Sequence, residues 1–426
     1  MPVETARKVA RSARSPRAVY AASMLGAQGL NGVAAFLIFR WVEPLAMGFW
    51  SSAQLLQLPL DALKMGVLSG LSREYPYLVG RGEQERAQQV VETGLAHSLA
   101  MSLVGLVIGA AAVLLLGRAQ PMLGWALAAT ALAWAFVYFA QFVRCTFRTS
   151  SAFVRLGAIE LGLAVGGVAA LALVWAWGFD GLLARAVLLG AGAALVFLLL
   201  RPVRARPRFH RWAFAEMFRF GRHTYVTGYL LLVGQQAERA LLLTCDDGTR
   251  LLGVYAPVLA CVSVLQVIPG AIHGSSYPAF VEAYGRDHDL PKLRRHLLRQ
   301  MRHTAVIMVG VSAAAAAGIG LLVHFALPKY EEALVPALIA SAAGPFYAAR
   351  MLATYWSALK RWPEYYLYTA LQAGLPFVFI GLLLSWLPPL QAAAIGYVAA
   401  VAVSSCAMVL LVLRHGARQP AAPSTP

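Results

Sequence analysis

A short stripe of polar residues interrupts one of the most apolar stretches of this sequence. The segment QLLQLPLDALKMG covers residues 54–66 and contains two glutamines, an aspartate, a lysine and a proline. Gln54, Gln57, Asp61 and Lys64 are spaced by three, four and three residues, so a helix would place them on one face. A charge at the centre of a bilayer costs about 2.5–3.5 kcal/mol and usually faces a bundle interior or a watery cavity. The stripe therefore indicates a polar cavity that can bind cargo or ions.

The proline and the opposite charges allow a second interpretation of the same segment. Pro59 cannot donate a backbone hydrogen bond, so it frees a carbonyl near Leu55 and permits a bend there. Asp61 and Lys64 are three residues apart, and they can simply neutralise each other and hold helices together. The sequence leaves both interpretations open.

The second half of the chain contains comparable polar positions. Ser263, Gln266, Gly270 and His273 have the same spacing of three, four and three residues. The candidate cavity residues are Lys64, Arg239, Arg350, Gln54, Gln57, Gln235, Gln266 and His273, and the candidate ion-coupling residues are Asp61 and Glu238. Buried cations can bind a phosphate or pyrophosphate, whereas buried carboxylates can carry protons or sodium ions.

The elements that must position these residues are membrane-spanning helices. The chain has 426 residues, of which 59% are hydrophobic and 13% are charged, whereas a soluble protein has about 25% charged residues. A spanning helix needs about 20 apolar residues. Twelve segments qualify: 18–39, 44–71, 94–116, 121–143, 157–177, 182–200, 219–244, 251–278, 304–327, 333–359, 365–387 and 389–413. We predict an all-α integral membrane protein.

The basic residues predict the orientation of these helices. The net charge is +17, and if the N-terminus is cytoplasmic, 28 Lys and Arg residues lie in inner segments and 4 in outer loops. This asymmetry matches the positive-inside rule with both termini in the cytoplasm, as expected for the inner membrane of a bacterium. The basic loops need no partner beyond anionic membrane lipids, so we expect no nucleic acid partner.

An internal repeat predicts two bundles of six helices. Residues 47–87 and 252–292 each have Gly at the second position with an aromatic residue close behind, pass through a proline-containing span and reach Tyr-Pro before a charged loop. Six spans per half preserve orientation, so the repeat is parallel. The expected parts are an N-terminal tail 1–17, a bundle 18–200, a basic linker 201–218, a second bundle 219–413 and a tail 414–426.

The sequence indicates no enzyme, cofactor or metal site. Cys145, Cys245, Cys261 and Cys406 lack the paired spacing of a zinc site or a disulfide framework. The phosphate-binding loop of ATPases and the common metalloprotease and hydrolase motifs do not occur.

Several segments resemble polysaccharide-export flippases. FRWVEPLAMGFW (39–50) resembles their first outer turn, and REYPYLVGRGEQERA (73–87) is similar to the inner loop after their second span. AERALLLTCDDGTRLLGVYA (237–256) resembles their seventh span, with Glu238 where Asp is commoner, and LPKYEEALVPALIA (327–340) resembles the start of their tenth. The chain is thus identified as a member of the multidrug/oligosaccharidyl-lipid/polysaccharide exporter superfamily.

The resemblance implies a function and a role for each candidate residue. Two six-helix bundles around a central cavity would move an undecaprenyl-pyrophosphate-linked oligosaccharide to the outer leaflet for lipopolysaccharide or exopolysaccharide synthesis. Lys64, Arg239 and Arg350 would hold the pyrophosphate and sugar, and Asp61 or Glu238 would couple transport to a proton or sodium gradient. Polysaccharide polymerase machinery is an implied partner.

Other functions fit the sequence less well. An ion-coupled drug or organic-cation antiporter of the same superfamily is the main alternative, although it should rely on carboxylates without cavity arginines such as Arg239 and Arg350. The lipid II flippase branch is expected to have two further spans. A membrane glycosyltransferase or polymerase would need a large outer loop, and a scaffold subunit would not need the polar stripes.

Overall fold

The structure, a computed structural model, describes residues 16–150, 152–287, 289–359 and 361–417. Most of the tail 1–17 and the end of the tail 414–426 lie outside these residues. Helices are the only regular elements in the described ranges. The α-helices are α1 Pro16–Trp41, α2 Pro44–Ala53, α3 Gln57–Ala62, α4 Val67–Gly80, α5 Gln84–Leu116, α6 Pro121–Thr149, α7 Phe153–Ala169, α8 Leu171–Leu200, α9 Arg211–Gln235, α10 Ala237–Leu242, α11 Gly248–Val254, α12 Ala256–Asp287, α13 Leu290–Ala326, α14 Leu334–Ser341, α15 Ala353–Ala358, α16 Trp362–Leu383 and α17 Pro389–Ala417. The 3-10 helices are Gln54–Leu56, Pro328–Ala333 and Gly344–Leu352.

These helices confirm the predicted fold class, an all-α multi-pass membrane protein. In the described residues, eight helices are long and apolar enough to cross a membrane, and the bent pair Pro328–Ser341 and Gly344–Ser357 would make a ninth. The remaining predicted spans, 44–71, 157–177 and 219–244, also coincide with helical segments. The first and last of these are broken into shorter helices and carry charged residues, so no single helix in them is long and apolar enough to count as a span by itself.

The polar span 44–71 is broken twice. The 3-10 helix Gln54–Leu56 immediately precedes α3, at the turn where Pro59 cannot donate to Leu55. A second break separates α3 from α4, where Met65 and Gly66 have φ values of 48° and 73°. Both φ values lie in the left-handed region, which ends a right-handed helix. The sequence predicts the first break and not the second.

A tight turn at Gly178 divides α8 into two helices. Gly178 has a φ of 55° and a ψ of −120°, which is compatible with glycine and not with a helix interior. A Cβ atom on Gly181 would lie 1.9 Å from the carbonyl oxygen of Leu173, and Arg185 Nε donates to Gly167 O at 3.1 Å. Residues that far apart could not meet along a straight helix, so the chain reverses at Gly178. The first arm continues α7, and the second is the predicted span 182–200.

Contacts divide the described chain into two units, and the division falls between Tyr229 and Leu230, inside α9. The expectation from sequence places the start of the second bundle earlier, at residue 219. Residues of α9 before the division pack closely on α4 of the first unit, where a Cβ atom on Gly70 would lie 2.0 Å from the Met217 carbonyl oxygen. Because these two backbones lie so close together, the start of α9 belongs to the first unit.

Small residues allow close helix packing in the first unit. Gly105 and Gly109 are four residues apart on α5, and Cβ atoms there would lie 2.5 Å from the Trp134 ring and 2.2 Å from the Ala131 Cβ of α6. Such spacing of small residues is typical of membrane helices, because lipid supplies no hydrophobic force between them. Phe147 and Phe197 belong to a separate core cluster of the same unit, with ring centroids 5.8 Å apart.

The second unit has a core of large side chains. Leu297, Leu352, Trp356, Met408 and Val412 are all almost fully buried and join α13, the 3-10 helix Gly344–Leu352, α15 and α17. Trp356 Nε1 lies 3.2 Å from Met408 Sδ. The indole donor is therefore satisfied inside the apolar core.

Exposed tryptophans lie at the helix ends that the sequence predicts to be outside. Trp125, Trp175, Trp177 and Trp386 are between 62% and 85% exposed. Tryptophan is enriched where membrane and water meet. These side chains therefore agree with a membrane boundary at that end of each unit.

Gly66, at the second break of the polar span, is expected to be important for stability. A Cβ atom on Gly66 would lie 2.6 Å from the Gly221 carbonyl oxygen, at a backbone φ of 73°. We expect Gly66→Ala to lower the unfolding free energy by about 2–4 kcal/mol, because both the φ angle and the contact are unfavourable. The measurement is thermal unfolding in detergent.

The matched control for this prediction is Gly32→Ala in α1, because a Cβ atom there would have no neighbour within 4 Å. The control should change the unfolding temperature little. Equal stability of the two variants would contradict a constrained break at Gly66.

Candidate functional site

The first polar cluster surrounds Asp61 in the first unit. Lys64 Nζ lies 2.7 Å from Asp61 Oδ1, and Trp134 Nε1 of α6 donates to the same oxygen at 2.7 Å. The Lys64 and Asp61 side chains are 25% and 23% exposed, so this ion pair is accessible. Asp61 thus has one charged partner and one neutral donor.

An aromatic wall stands beside this ion pair. Lys64 Nζ is 6.0 Å from the centre of the Tyr138 ring, and Tyr138 stacks on Trp134 with ring centroids 5.2 Å apart. Cations are attracted to aromatic faces at this distance. The Tyr138 ring therefore gives Lys64 a second favourable neighbour besides Asp61.

The glutamines of the stripe pair with each other. Gln57 Nε2 donates to Gln54 Oε1, and both side chains are half-buried. The structure thus keeps the predicted residues in one segment but divides them into two pairs, Gln54 with Gln57 and Asp61 with Lys64.

Two tyrosines of α9 support the broken backbone of the stripe. Tyr225 OH donates to Ala62 O at 2.9 Å, and Tyr229 OH donates to Leu58 O at 3.2 Å. A break leaves carbonyls without their helical partners, and such groups must be satisfied internally inside a membrane. Sequence analysis missed these tyrosines, although tyrosines within an apolar span are a signal that hydroxyl groups have partners there.

The second polar cluster surrounds Arg350 in the second unit. Arg350 Nη1 donates to Gln266 Oε1 at 2.9 Å, and Gln235 Nε2 lies 3.4 Å from the same oxygen. The guanidinium carbon is 4.9 Å from the centre of the Tyr347 ring. The structure thus brings together three of the predicted residues, from α9, α12 and the 3-10 helix Gly344–Leu352.

Two buried tyrosines complete this cluster. Tyr347 and Tyr397 hydroxyls are 2.8 Å apart, and Gln266 Nε2 lies 3.5 Å and 3.3 Å from them. The two side chains are 0% and 3% exposed. These neutral groups hold Gln266, and Gln266 in turn holds the guanidinium of Arg350.

Arg350 also borders a small cavity within the second unit. The cavity measures about 20 Å³ and is lined by Gln235, Gln372, Tyr397 and Ser404 besides Arg350. That volume holds about one water molecule. Arg350 Nε has no hydrogen-bond partner among the described residues. The guanidinium therefore retains unused donor capacity.

Glu238 and Arg239 have separate partners. Tyr255 OH donates to Glu238 Oε1 at 2.5 Å, and the Glu238 residue is 1% exposed. Arg239 Nη1 donates to Gln236 Oε1 at 2.8 Å, while Arg239 Nε has no described hydrogen-bond partner. Sequence analysis did not find Tyr255 or Gln236.

His273 lies apart from the Arg350 cluster. Its Nδ1 atom is 3.4 Å from Thr354 Oγ1 of α15. His273 and Gln266 are on α12, almost two turns apart. The structure therefore places His273 along the predicted stripe, with a hydroxyl partner of its own.

The sequence matches the model of a known protein family. The model described as polysaccharide biosynthesis protein matches residues 81–334, which is more than half of the chain. The chain belongs to the polysaccharide biosynthesis protein family. No curated protein matches the sequence.

Solved structures of similar fold are transporters of the multidrug/oligosaccharidyl-lipid/polysaccharide (MOP) superfamily. An inward-facing multidrug resistance MATE family transporter is similar with a TM-score of 0.75 and 13% identity, over 92% of this chain and 95% of that one. An outward-facing MATE family transporter gives a TM-score of 0.61 and 16% identity, over 95% and 97% of the chains. A MOP superfamily transporter from Pyrococcus furiosus, described as having a binding pocket of reverse polarity that suggests a different function, gives 0.58 and 12%, over 94% and 96%. Together with the family match, this similarity in fold confirms the predicted superfamily.

Proposed function

We propose that this polysaccharide biosynthesis protein is a flippase. It moves an undecaprenyl-pyrophosphate-linked oligosaccharide from the inner to the outer leaflet by alternating access. The observation that carries the proposal is the environment of Arg350, whose described partners are the neutral Gln266 amide and the Tyr347 ring. An arginine held by neutral groups keeps its charge available for an anionic cargo, and its planar donors suit a phosphate group.

Lys64 is a second binding group in this proposal, and Asp61 controls it. Lys64 is bound to Asp61 in the structure, at 2.7 Å. A proton on Asp61 would remove the negative charge and release Lys64 for the substrate phosphate. Since Trp134 also donates to Asp61, the carboxyl group would remain in place when Lys64 leaves. Competition between a proton and a lysine for one carboxylate thus links the ion gradient to substrate binding.

Arg239 and Glu238 have supporting roles in the proposal. Arg239 has donor capacity to spare and would contact the pyrophosphate or sugar. Glu238 is buried and bonded to Tyr255, so it is the second candidate for ion coupling after the more exposed Asp61. Gln54, Gln57, Gln235, Gln266 and His273 would provide the neutral hydrogen bonds that sugars require.

The proposed location is the inner membrane of a bacterium with both termini in the cytoplasm. The excess of 28 inner over 4 outer basic residues supports this orientation. The proposed partners follow from the cargo: anionic lipids around the protein, and polysaccharide polymerase machinery that receives the flipped unit.

An ion-coupled drug antiporter is the second candidate function. The similarity in fold to MATE family transporters favours it, and so does the buried carboxylate of Glu238. The cationic side chains of Lys64, Arg239 and Arg350 oppose it, because they would repel an organic cation. The Pyrococcus furiosus transporter supports the idea that pocket polarity can reverse within this fold.

A binding measurement separates the two functions. The thermal stability of the purified protein in detergent is recorded with undecaprenyl pyrophosphate and, separately, with tetraphenylphosphonium as the organic cation. A ligand at 100 times its Kd stabilises the folded state by about 2.7 kcal/mol. We expect stabilisation by the pyrophosphate lipid, and a loss of that effect in Arg350→Ala. Stabilisation by the organic cation alone would favour the antiporter.

A further inference from the structure

The second unit contains an apolar groove that no residue of the Arg350 cluster lines. It has a volume of about 430 Å³, which is within the usual range for small-molecule sites. Met301 and Ala305 of α13, Phe346 and Ala349 of the 3-10 helix Gly344–Leu352, and Cys406 and Leu410 of α17 line it. The flippase proposal makes no use of this groove.

The groove exists because the middle element is narrow and bears small side chains. A 3-10 helix has three residues per turn and is thinner than an α-helix. Pro345, Ala348 and Ala349 leave little side-chain volume on its surface. Ser405 of α17 donates to Phe346 O at 2.9 Å, which fixes this element against α17 at one edge. The hollow is therefore part of the packing of the unit.

The groove opens toward a surface that is itself apolar. Leu410 is 53% exposed, and Leu413 on the same helix is 43% exposed. Val306 and Val309 on α13 are 68% and 57% exposed. Exposed apolar side chains on a spanning helix face hydrocarbon, so a lipid chain can reach the groove from the bilayer.

Arginines lie beyond the groove at the same end of both long helices. Arg294 precedes Met301 by seven residues, and the series 294, 298, 301 and 305 has the spacing of one helix face. Arg414 follows Leu410 by four residues on α17. At about 1.5 Å per residue, these positions lie about 10 Å and 6 Å beyond the groove residues along the helix axes. One end of an otherwise apolar groove is thus basic.

We propose that this groove binds an anionic phospholipid. One acyl chain would occupy the groove, and Arg294 and Arg414 would bind the phosphate of the headgroup. Basic pockets between membrane helices bind anionic headgroups such as that of cardiolipin. The occupant has an apolar chain and an anionic end, which matches the distribution of apolar and basic side chains here.

The test is native mass spectrometry of the purified full chain with equal amounts of phosphatidylglycerol and phosphatidylcholine. We expect one retained phosphatidylglycerol per protein. Its affinity should fall about fivefold in Arg294→Gln and about thirtyfold in Arg294→Gln combined with Arg414→Gln. Cys406→Phe fills the groove from an exposed position, so it should fold and also lose the lipid.

The matched control is Arg295→Gln, which makes the same charge change one residue along α13, on a different face. It should change the affinity less than twofold. Equal losses in Arg294→Gln and Arg295→Gln, equal retention of phosphatidylcholine, or unchanged binding in Cys406→Phe would overturn the proposal. Displacement of phosphatidylglycerol by an equimolar amount of undecaprenyl phosphate would also overturn it, because the groove would then hold a prenyl chain.

Discussion

Replacing Arg350 with alanine is expected to reduce export about 10- to 100-fold while the protein still inserts in the membrane. Hydrogen bonds to a charged group contribute about 1.5–3 kcal/mol, and each 1.4 kcal/mol corresponds to a factor of ten. Arg350→Lys should recover only part of the activity, because lysine lacks the planar donors that hold Gln266 and a phosphate together. The measurement is surface polysaccharide produced by a deletion strain that carries each variant.

The control for this prediction is Arg250→Gln, which removes an arginine from an exposed ion pair with Glu332. Exposed ion pairs contribute about 0–1 kcal/mol, so this variant should export normally. If Arg350→Ala exports normally while its amount in the membrane equals that of the wild type, Arg350 does not belong to the substrate site.

Replacing Asp61 with asparagine is expected to make transport independent of the coupling ion. Asparagine cannot carry a negative charge, so Lys64 would be free of its ion pair at every pH. The amide oxygen can still accept from Trp134, so the local packing should survive. The measurement is the initial transport rate in proteoliposomes as a function of an imposed pH or sodium gradient.

Two further variants test whether the loss of ion dependence is specific to Asp61 and acts through Lys64. Glu238→Gln keeps an oxygen that can accept from Tyr255, so it should fold and should retain the ion dependence. The double variant Asp61→Asn with Lys64→Ala should transport no better than Lys64→Ala alone, because Asp61 acts through Lys64. A full ion dependence in Asp61→Asn, combined with its loss in Glu238→Gln, would move the coupling group to Glu238.

Periodicity and composition were sufficient to predict where the helices lie. Hydrophobic length located the spanning segments, and the three-four-three spacing located the polar stripe with Asp61 and Lys64. The helix breaks were harder to predict. The first follows from Pro59, which lacks a donor, but the breaks at Gly66 and Gly178 depend on positive φ values that many glycines in this chain do not adopt.

The partners of the predicted site residues depend on tertiary packing, so the sequence could not supply them. Gln266 and Arg350 are far apart in the chain and meet only because α12 packs against the 3-10 helix Gly344–Leu352. Trp134 and Asp61 are also far apart in the sequence and meet only in the folded chain. Spacing within one helix says nothing about such contacts.

The most direct test of the flippase proposal is the lipid content of a deletion strain of the source organism. Its lipids are extracted and the polyprenyl-linked sugars are identified by mass spectrometry. The account predicts accumulation of an undecaprenyl-pyrophosphate oligosaccharide, reversed by the wild-type gene and not by Lys64→Ala or Arg350→Ala. No accumulation, together with a new sensitivity to cationic drugs, would contradict it and favour the antiporter.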